Sequence, residues 1–327
     1  EINNLSIEII PKDTASSPEI TLRSAKELEA LDVKIVIGPV FNENLIYLDE
    51  LSGLRFLSLT NKNNNGSKNI INAGINATSQ LNAIKKFIEL KEIKRTIFLT
   101  PDVAYKNEII KAISSSKIKI IENYIYNTDP TQLTKQIEKI TEYKKRKQNL
   151  EDEVKRIENS NEINKEKLIE KLKKKDTLGD IKFDSVIIAD FDESLKSVTT
   201  SLLYTDISPK EKYLITLNQW FDKSLLKEKS SQPLYFPSIN KENYENFSSE
   251  YFEKYNQYPN QLSFLSFDLI GLVYYLIIQN NSIVDEKIFT KETLFKGKIG
   301  IFEIKDNKIN HILNFYKIEN EEIKKIF

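Results

Sequence analysis

Apolar positions along this chain recur at two periods, and the periods alternate. Val33, Ile35, Val36 and Ile37 form a short apolar run that stops at Gly38 and Pro39, the pattern of a strand meeting a turn. Before it, "SIEIIP" reads as a short strand and "SPEITLRSAKELEAL" as a helix. Ser17 is placed to cap that helix, Pro18 takes its first position, and Leu22, Ala25, Leu28 and Leu31 share one side. The helix-like "LIYLDELSG", a strand "RFLSLT" at 55–60, the polar loop "NKNNNGS" and a strand "NIINAG" follow. Leu81, Ile84 and Ile88 have the spacing of a helix over 77–90 that faces a sheet. A strand then opens at 95, with a helix over 106–116, strand "IKIIENYIY" and a helix over 130–142 after it. Strand and helix repeating with short links predict parallel sheets flanked by helices, the α/β class.

From 141 to 176 the rhythm breaks. Lys and Glu dominate, with thin apolar seams of Tyr143, Leu150, Val154 and Ile157, then Ile163, Leu168 and Leu172, separated by Asn159, Ser160 and Asn161. The spacing predicts two helices that project from the body and are dispensable for folding. Their interleaved acids and bases are those of a solvated face rather than a nucleic-acid grip. The α/β pattern returns with a strand at 183–190, a helix from 193 to 202, strands at 212–217 and 232–238, and helices within 242–255 and 262–280. At the end, Ile299, Ile301 and Glu303 alternate with Gly300, Phe302 and Ile304. "KDNK" makes a turn, and a strand returns through Ile312, Asn314 and Tyr316, which predicts a β-hairpin.

Composition narrows the function classes. A chain of 327 residues exceeds what one core usually holds, so two lobes are expected. Lys plus Arg and Asp plus Glu are both 48, leaving no field to steer the chain to nucleic acid. Without cysteine there is no disulfide, thiolate metal site or Cys nucleophile. The longest apolar run, "LIGLVYYLII", is ten residues, half of the ~20 a membrane span needs, and reads as a core helix rather than a transmembrane segment. The sequence opens at Glu1 with no leader, which leaves the compartment open.

The order "VIGP", "LSLTN", "INATSQLNAIKKFIEL", "FLTPDVAY", "KFDSVIIAD", "LITLNQW", "FEKYNQYPNQLSFLSFDLIGLVYYL" and "FKGKIGIFEIKDNK" resembles the type I periplasmic binding proteins, the superfamily of the leucine, isoleucine and valine binding proteins. Within it the charged insert leading into "KKKDTLGDIKFDSVIIAD", "LITLNQWFD" with its lone Trp220, and "YFPSINKENYENFSSEYFEKYNQYPNQLSFLSFDLI" resemble the penicillin-binding protein activator group of outer-membrane lipoproteins. The resemblance implies a two-lobed fold of parallel sheets flanked by helices, and the restarts of the strand and helix rhythm put lobe 1 at 1–92 and 235–290, lobe 2 at 93–234 and 291–327, and the insert within lobe 2. It implies a periplasmic location, with a lipoprotein anchor in the outer membrane. Members open with a strand and a helix ahead of the segment that "SIEIIPKDT" resembles, so the first wall of the cleft is the part the resemblance fixes least.

In amino-acid-binding members, loops after the first strands hold the ligand's carboxylate and an aromatic residue closes over it. Carried onto this chain, the resemblance implicates Asn42, Asn44, Thr60, Asn61, Tyr105 and Asp190: amides and a hydroxyl for polar groups, a phenol for an apolar body, a carboxylate for an ammonium. Three departures oppose that chemistry. Phe41 and Glu43 occupy a loop where relatives present small hydroxyl residues, and Lys106 stands where they carry a close-approach glycine. An equally local reading has Gly38 and Pro39 as a strand-end turn, the two Asn bonding nearby backbone, and Tyr105 packing.

Catalysis is poorly served. The one histidine, His311, sits beside no nucleophile pattern and reads as structural or solvated, and none of the eight glycines falls in a phosphate-binding motif. Asp190, Asp192 and Glu193 complement a helix N-terminus without need of a metal. No cofactor or metal is expected. Two functions follow. One is a non-catalytic regulator that engages a peptidoglycan synthase, a penicillin-binding protein. The other is a solute receptor that closes on a small polar ligand, such as an amino acid, and delivers it to an ABC permease.

Overall fold

In the computed structural model, residues 7–62, 67–161, 163–280, 288–290, 292–305 and 308–327 are described. Contacts gather them into two compact units, Glu1–Asn76 with Asn240–Ile312, and Ala77–Ile239 with Leu313–Phe327.

The first unit begins with helix α1 (Pro18–Ala30), whose Ile20 N–H donates to the Ser17 hydroxyl at 3.3 Å, as the capping pattern predicts. Strands β1 (Ile35–Ile37), β2 (Arg55–Ser58) and β3 (Ile70–Asn72) form a parallel sheet in that order. Val36 lies opposite Phe56, and Phe56 opposite Ile70. The expected helix over 45–53 is instead two single 3-10 turns, Asn42–Leu45 and Leu48–Glu50, which bury Leu45 and Leu48 with Ala25, Leu51, Leu54 and Phe56. Of "SIEIIP", Ser6 lies outside the described residues, and residues 7–11 form no strand with any described residue.

The second unit starts at helix α2 (Ala77–Leu90) and continues through β4 (Thr96–Pro101), α3 (Lys106–Ser116), β5 (Glu122–Tyr126), α4 (Pro130–Ile140), α5 (Tyr143–Glu158), α6 (Lys165–Lys173), β6 (Ser185–Ile188), α7 (Asp192–Tyr204), β7 (Tyr213–Thr216) and β8 (Leu234–Ser238). The chain then returns to the first unit for α8 (Lys241–Tyr255), α9 (Gln261–Gln279) and an antiparallel sheet of β9 (Thr293–Lys296), β10 (Ile301–Lys305) and β11 (Lys308–Ile312). Finally β12 (Asn314–Glu319) and β13 (Glu322–Lys325) complete the second unit's sheet, ordered β13-β12-β8-β7-β6-β4-β5. Strands β4 to β8 are parallel and the last two antiparallel, so β1 and β6 belong to different sheets.

The changes of unit fall at 76, 239 and 312, not near 92, 235 and 290 as the rhythm alone suggested. Helix α2 goes with the second unit because Phe87, fully buried, stacks on Phe315 at 4.4 Å and lies 5.1 Å from Tyr235. The hairpin β10–β11 stays with the first. Buried His311 meets the Ala73 carbonyl at 2.8 Å, and the strand does not continue through Asn314 and Tyr316, which pair with β8. The centre of the expected "KDNK" turn lies outside the described residues.

Two further corrections concern helices. The run read as ten residues sits in α9, which has 19 and is long and apolar enough, by length and composition, to cross a membrane. It also carries Asp268, only 3% exposed, whose carboxylate accepts the backbone N–H groups of Lys298, Ile299 and Gly300 at 2.8–3.0 Å. Gly297 lies so close that a Cβ there would fall 2.4 Å from that carboxylate, so only glycine fits. The insert forms α5 and α6, yet its root is more than a thin seam. Buried Arg146 donates to the Thr141 and Thr205 carbonyls and the Thr177 hydroxyl, at 2.9, 2.6 and 2.7 Å.

Candidate functional site

The six implicated residues divide between the units, Asn42, Asn44, Thr60 and Asn61 in the first, Tyr105 and Asp190 in the second. In the first unit they surround the C-terminal end of β1. Gly38, at φ +124°, is in a conformation that favours glycine, and its N–H donates to the Leu57 carbonyl at 2.8 Å. The Ser58 hydroxyl and Leu59 N–H donate to the Pro39 carbonyl at 3.0 and 3.1 Å, fastening the turn to the end of β2. The following 3-10 turn carries Asn42 and Asn44. Asn44 is 2% exposed, and the side-chain oxygens of both residues are enclosed with no donor among the described residues. They do not bond local backbone through those oxygens, as the local reading expected.

Thr60 is buried. Its hydroxyl oxygen accepts the Lys62 N–H at 3.2 Å, while its own N–H donates to Ser58 Oγ at 3.3 Å. Asn61 beside it is exposed. Gly74 presses against this corner, where a Cβ would lie 2.4 Å from the Thr60 carbonyl oxygen. Phe41 is 52% exposed and Glu43 faces Lys62 across 3.6 Å, so bulk and negative charge stand at the mouth of the loop.

In the second unit the structure brings Tyr105 and Asp190 together, and adds partners that sequence reasoning missed. Asp190 follows β6 and is 4% exposed. Its Oδ2 accepts the Tyr126 hydroxyl at 2.5 Å and the Ser194 hydroxyl at 2.7 Å. Its Oδ1 accepts the Phe191 N–H at 2.9 Å and, more weakly, the Tyr105 hydroxyl at 3.4 Å. The Tyr105 hydroxyl has one proton and a nearer acceptor, the Ala189 carbonyl at 3.3 Å, so protein donors firmly take three of the about four lone-pair positions a carboxylate offers. Burial first, then the Asp190 charge, push the phenols of Tyr105 and Tyr126 well above the usual tyrosine range, so both are protonated donors. The only available signal for Ser194 was its place four residues after Asp190 at the start of α7; Tyr126 closes β5 and carried none.

Asp192 opens α7 and Glu193 pairs with Lys196 at 2.7 Å, the helix-end role expected of them. Lys106 folds back on Asp102 at 2.5 Å. Among the described residues no group of three His, Asp or Glu side chains is disposed to hold a metal. What the second unit displays is therefore a closed hydrogen-bonded hub, and what the first displays is a polar corner with two unmatched amide oxygens.

No protein-family model matches the chain, and no curated protein matches it in sequence. Solved structures do. The C-domain of LpoA from Haemophilus influenzae, described as a regulator of PBP1A, superimposes with a TM-score of 0.63 at 13% identity, over 99% of this chain and 91% of that one. A substrate-binding protein of an ABC transporter from Desulfitobacterium hafniense, in complex with Leu, gives 0.59 at 13% identity, over 98% and 88%. A branched-chain amino acid ABC transporter periplasmic ligand-binding protein from Burkholderia xenovorans gives 0.63 at 10% identity, over 97% and 82%. All three share this chain's fold.

Proposed function

We propose that this chain, which has the fold of the type I periplasmic binding proteins, is a non-catalytic protein of the periplasm that regulates a peptidoglycan synthase. One observation carries the reading. Asp190, the carboxylate that would meet an amino acid's ammonium, is held by Tyr126, Ser194 and Phe191 inside its own unit. A buried carboxylate already holding three firm donors, with the Tyr105 hydroxyl beside it, gains little from a further partner. Exposed Phe41, at the loop where a carboxylate would dock, acts in the same direction. The likeness to the LpoA C-domain supplies the partner class, a penicillin-binding protein; attachment to the outer membrane as a lipoprotein belongs to the same reading.

A solute receptor feeding an ABC permease is the second reading. The unmatched amide oxygens of Asn42 and Asn44 favour it, since each would accept a donor from a small polar ligand. The two are separated by mixing the purified chain with the ectodomain of a bifunctional penicillin-binding protein from the same genome. Saturable binding and faster glycan polymerisation are expected. No binding and an unchanged polymerisation rate would contradict the proposal.

A further inference from the structure

Strand β5 is one edge of the second unit's seven-stranded sheet, and among the described residues no strand pairs with its outer side. The Asp184 and Ala189 N–H groups donate to the Arg95 and Leu99 carbonyls at 2.7 and 3.0 Å, so odd-numbered residues of this stretch face β6 and even-numbered ones face β5. Asp102 N–H accordingly reaches the Tyr126 carbonyl at 2.8 Å. Alternation places Tyr124 and Glu122 with Tyr126, toward β4, and turns the N–H and C=O of Asn123 and Ile125 outward.

The two edges of this sheet differ in chemistry. At the far edge β13 carries Glu322, Lys324 and Lys325, the kind of charged side chains that keep an edge from pairing. Strand β5 has one charge, Glu122, and Ile121 and Ile125 beside it are 56% and 47% exposed. Lys119 lies just ahead of the strand and Asp129 just after it, three residues out on either side. Both are exposed, and among the described residues neither is in an ion pair. A strand with a base ahead, an acid behind and outward groups between them is its own complement when turned antiparallel. About a twofold axis through Tyr124, Asn123 of each copy faces Ile125 of the other, and each pair exchanges both of its N–H···O bonds. The same register sets Lys119 opposite Asp129 at both ends, and Ile125 diagonal to Ile121 of the second copy on one face. A register centred on Asn123 instead would bring Lys119 to uncharged Asn127.

We propose that β5 is a self-association edge: two copies of this chain pair their β5 strands antiparallel about a twofold axis at Tyr124 and join their sheets. The contact is isologous and closed, so it consumes the free edge and stops at two copies. Two short strands make a small contact beside the ~1,200–2,000 Å2 of a standard interface, so dissociation in the micromolar range is expected.

The chain has no cysteine, so a single introduced one reports the register. On the axis, Tyr124 meets its counterpart as a non-hydrogen-bonded pair, with Cα atoms ~4.5 Å apart, a span that a disulfide bridges. Tyr124→Cys under mild oxidation is expected to give a disulfide-linked dimer. Glu122→Cys, which faces Tyr126 of the second copy and lies ~14 Å from its own counterpart, is expected to give none. In sedimentation velocity the parent is expected to pass from monomer to dimer between about 1 and 100 µM, and Lys119→Glu to weaken the dimer about tenfold. A parent that stays monomeric across that range would overturn the proposal, however the cysteine variants fold. A dimer that Lys119→Glu leaves equally tight would overturn it too, as would one that Tyr124→Cys, with the parent's circular dichroism, traps no better than Glu122→Cys.

Discussion

Asp190 and His311 show how differently two buried ionisable residues serve one chain. Asp190 accepts the Tyr126 and Ser194 hydroxyls and the Phe191 N–H. Asp190→Asn keeps its shape but turns a donor toward donors, and should cost about 2–4 kcal/mol in urea unfolding, since orphaned buried partners each cost ~1–3 kcal/mol. A loss within experimental error would mean the hub is not structural. For His311, burial lowers the pKa from 6.5 to about 4, against a smaller opposing effect of its bond to the Ala73 carbonyl. Between those values the unfolded chain binds the proton more tightly than the folded one. The contribution is therefore fully present above pH 6.5 and is lost as pH falls toward 4, roughly 3 kcal/mol in all. His311→Gln should flatten the difference in stability between pH 7 and pH 4 relative to the parent; an identical pH profile would place the titrating group elsewhere. The sequence named Asp190 and Tyr105 through their family context; Tyr126 escaped it because it reaches Asp190 through the parallel register of β5, β4 and β6, which no local spacing records, and Ser194 because a serine four residues on in a helix is too common a pattern to mark a partner.

Elements were legible where their signals are local. Helices α2 and α3 occupy the predicted 77–90 and 106–116, because apolar spacing specifies them within their own length. Residues 7–11 and 45–53 misled because a strand needs a partner, which 7–11 find nowhere among the described residues, and a helix needs length, which 45–53 lack. The charged insert was read correctly as two helices but too lightly as an appendage. Its tip carries exposed Lys and Glu, whereas Arg146 at its root satisfies two carbonyls and a hydroxyl. Replacing 150–174 by a short Gly/Ser linker removes one buried side chain, Ile157, and should cost about 1–2 kcal/mol, whereas Arg146→Leu should cost about 2–4 kcal/mol by leaving buried acceptors unmet. The reverse order of losses in chemical denaturation would show that the tip, not the root, holds the segment.

For the molecule as a whole, the order of motifs along the chain carried the fold, which solved structures share at only 10–13% identity. The exact changes of unit were not legible, because Phe87 and His311 choose their side through contacts made more than two hundred residues away in the sequence. In the function proposed above, what matters is which side chains at the candidate site remain open to a ligand, and Asp190 already accepts two hydroxyls and a backbone N–H. That proposal requires the candidate site to be closed to an amino acid. Thermal melting of the purified chain with leucine, isoleucine or valine tests it most directly. A ligand that binds only the folded state stabilises it by ~2.7 kcal/mol at a hundredfold excess over Kd, a clear rise in Tm. The account predicts no rise with any of the three at millimolar concentration; a saturable rise that Asp190→Asn abolishes, in a variant still folded at the start of the melt, would contradict it.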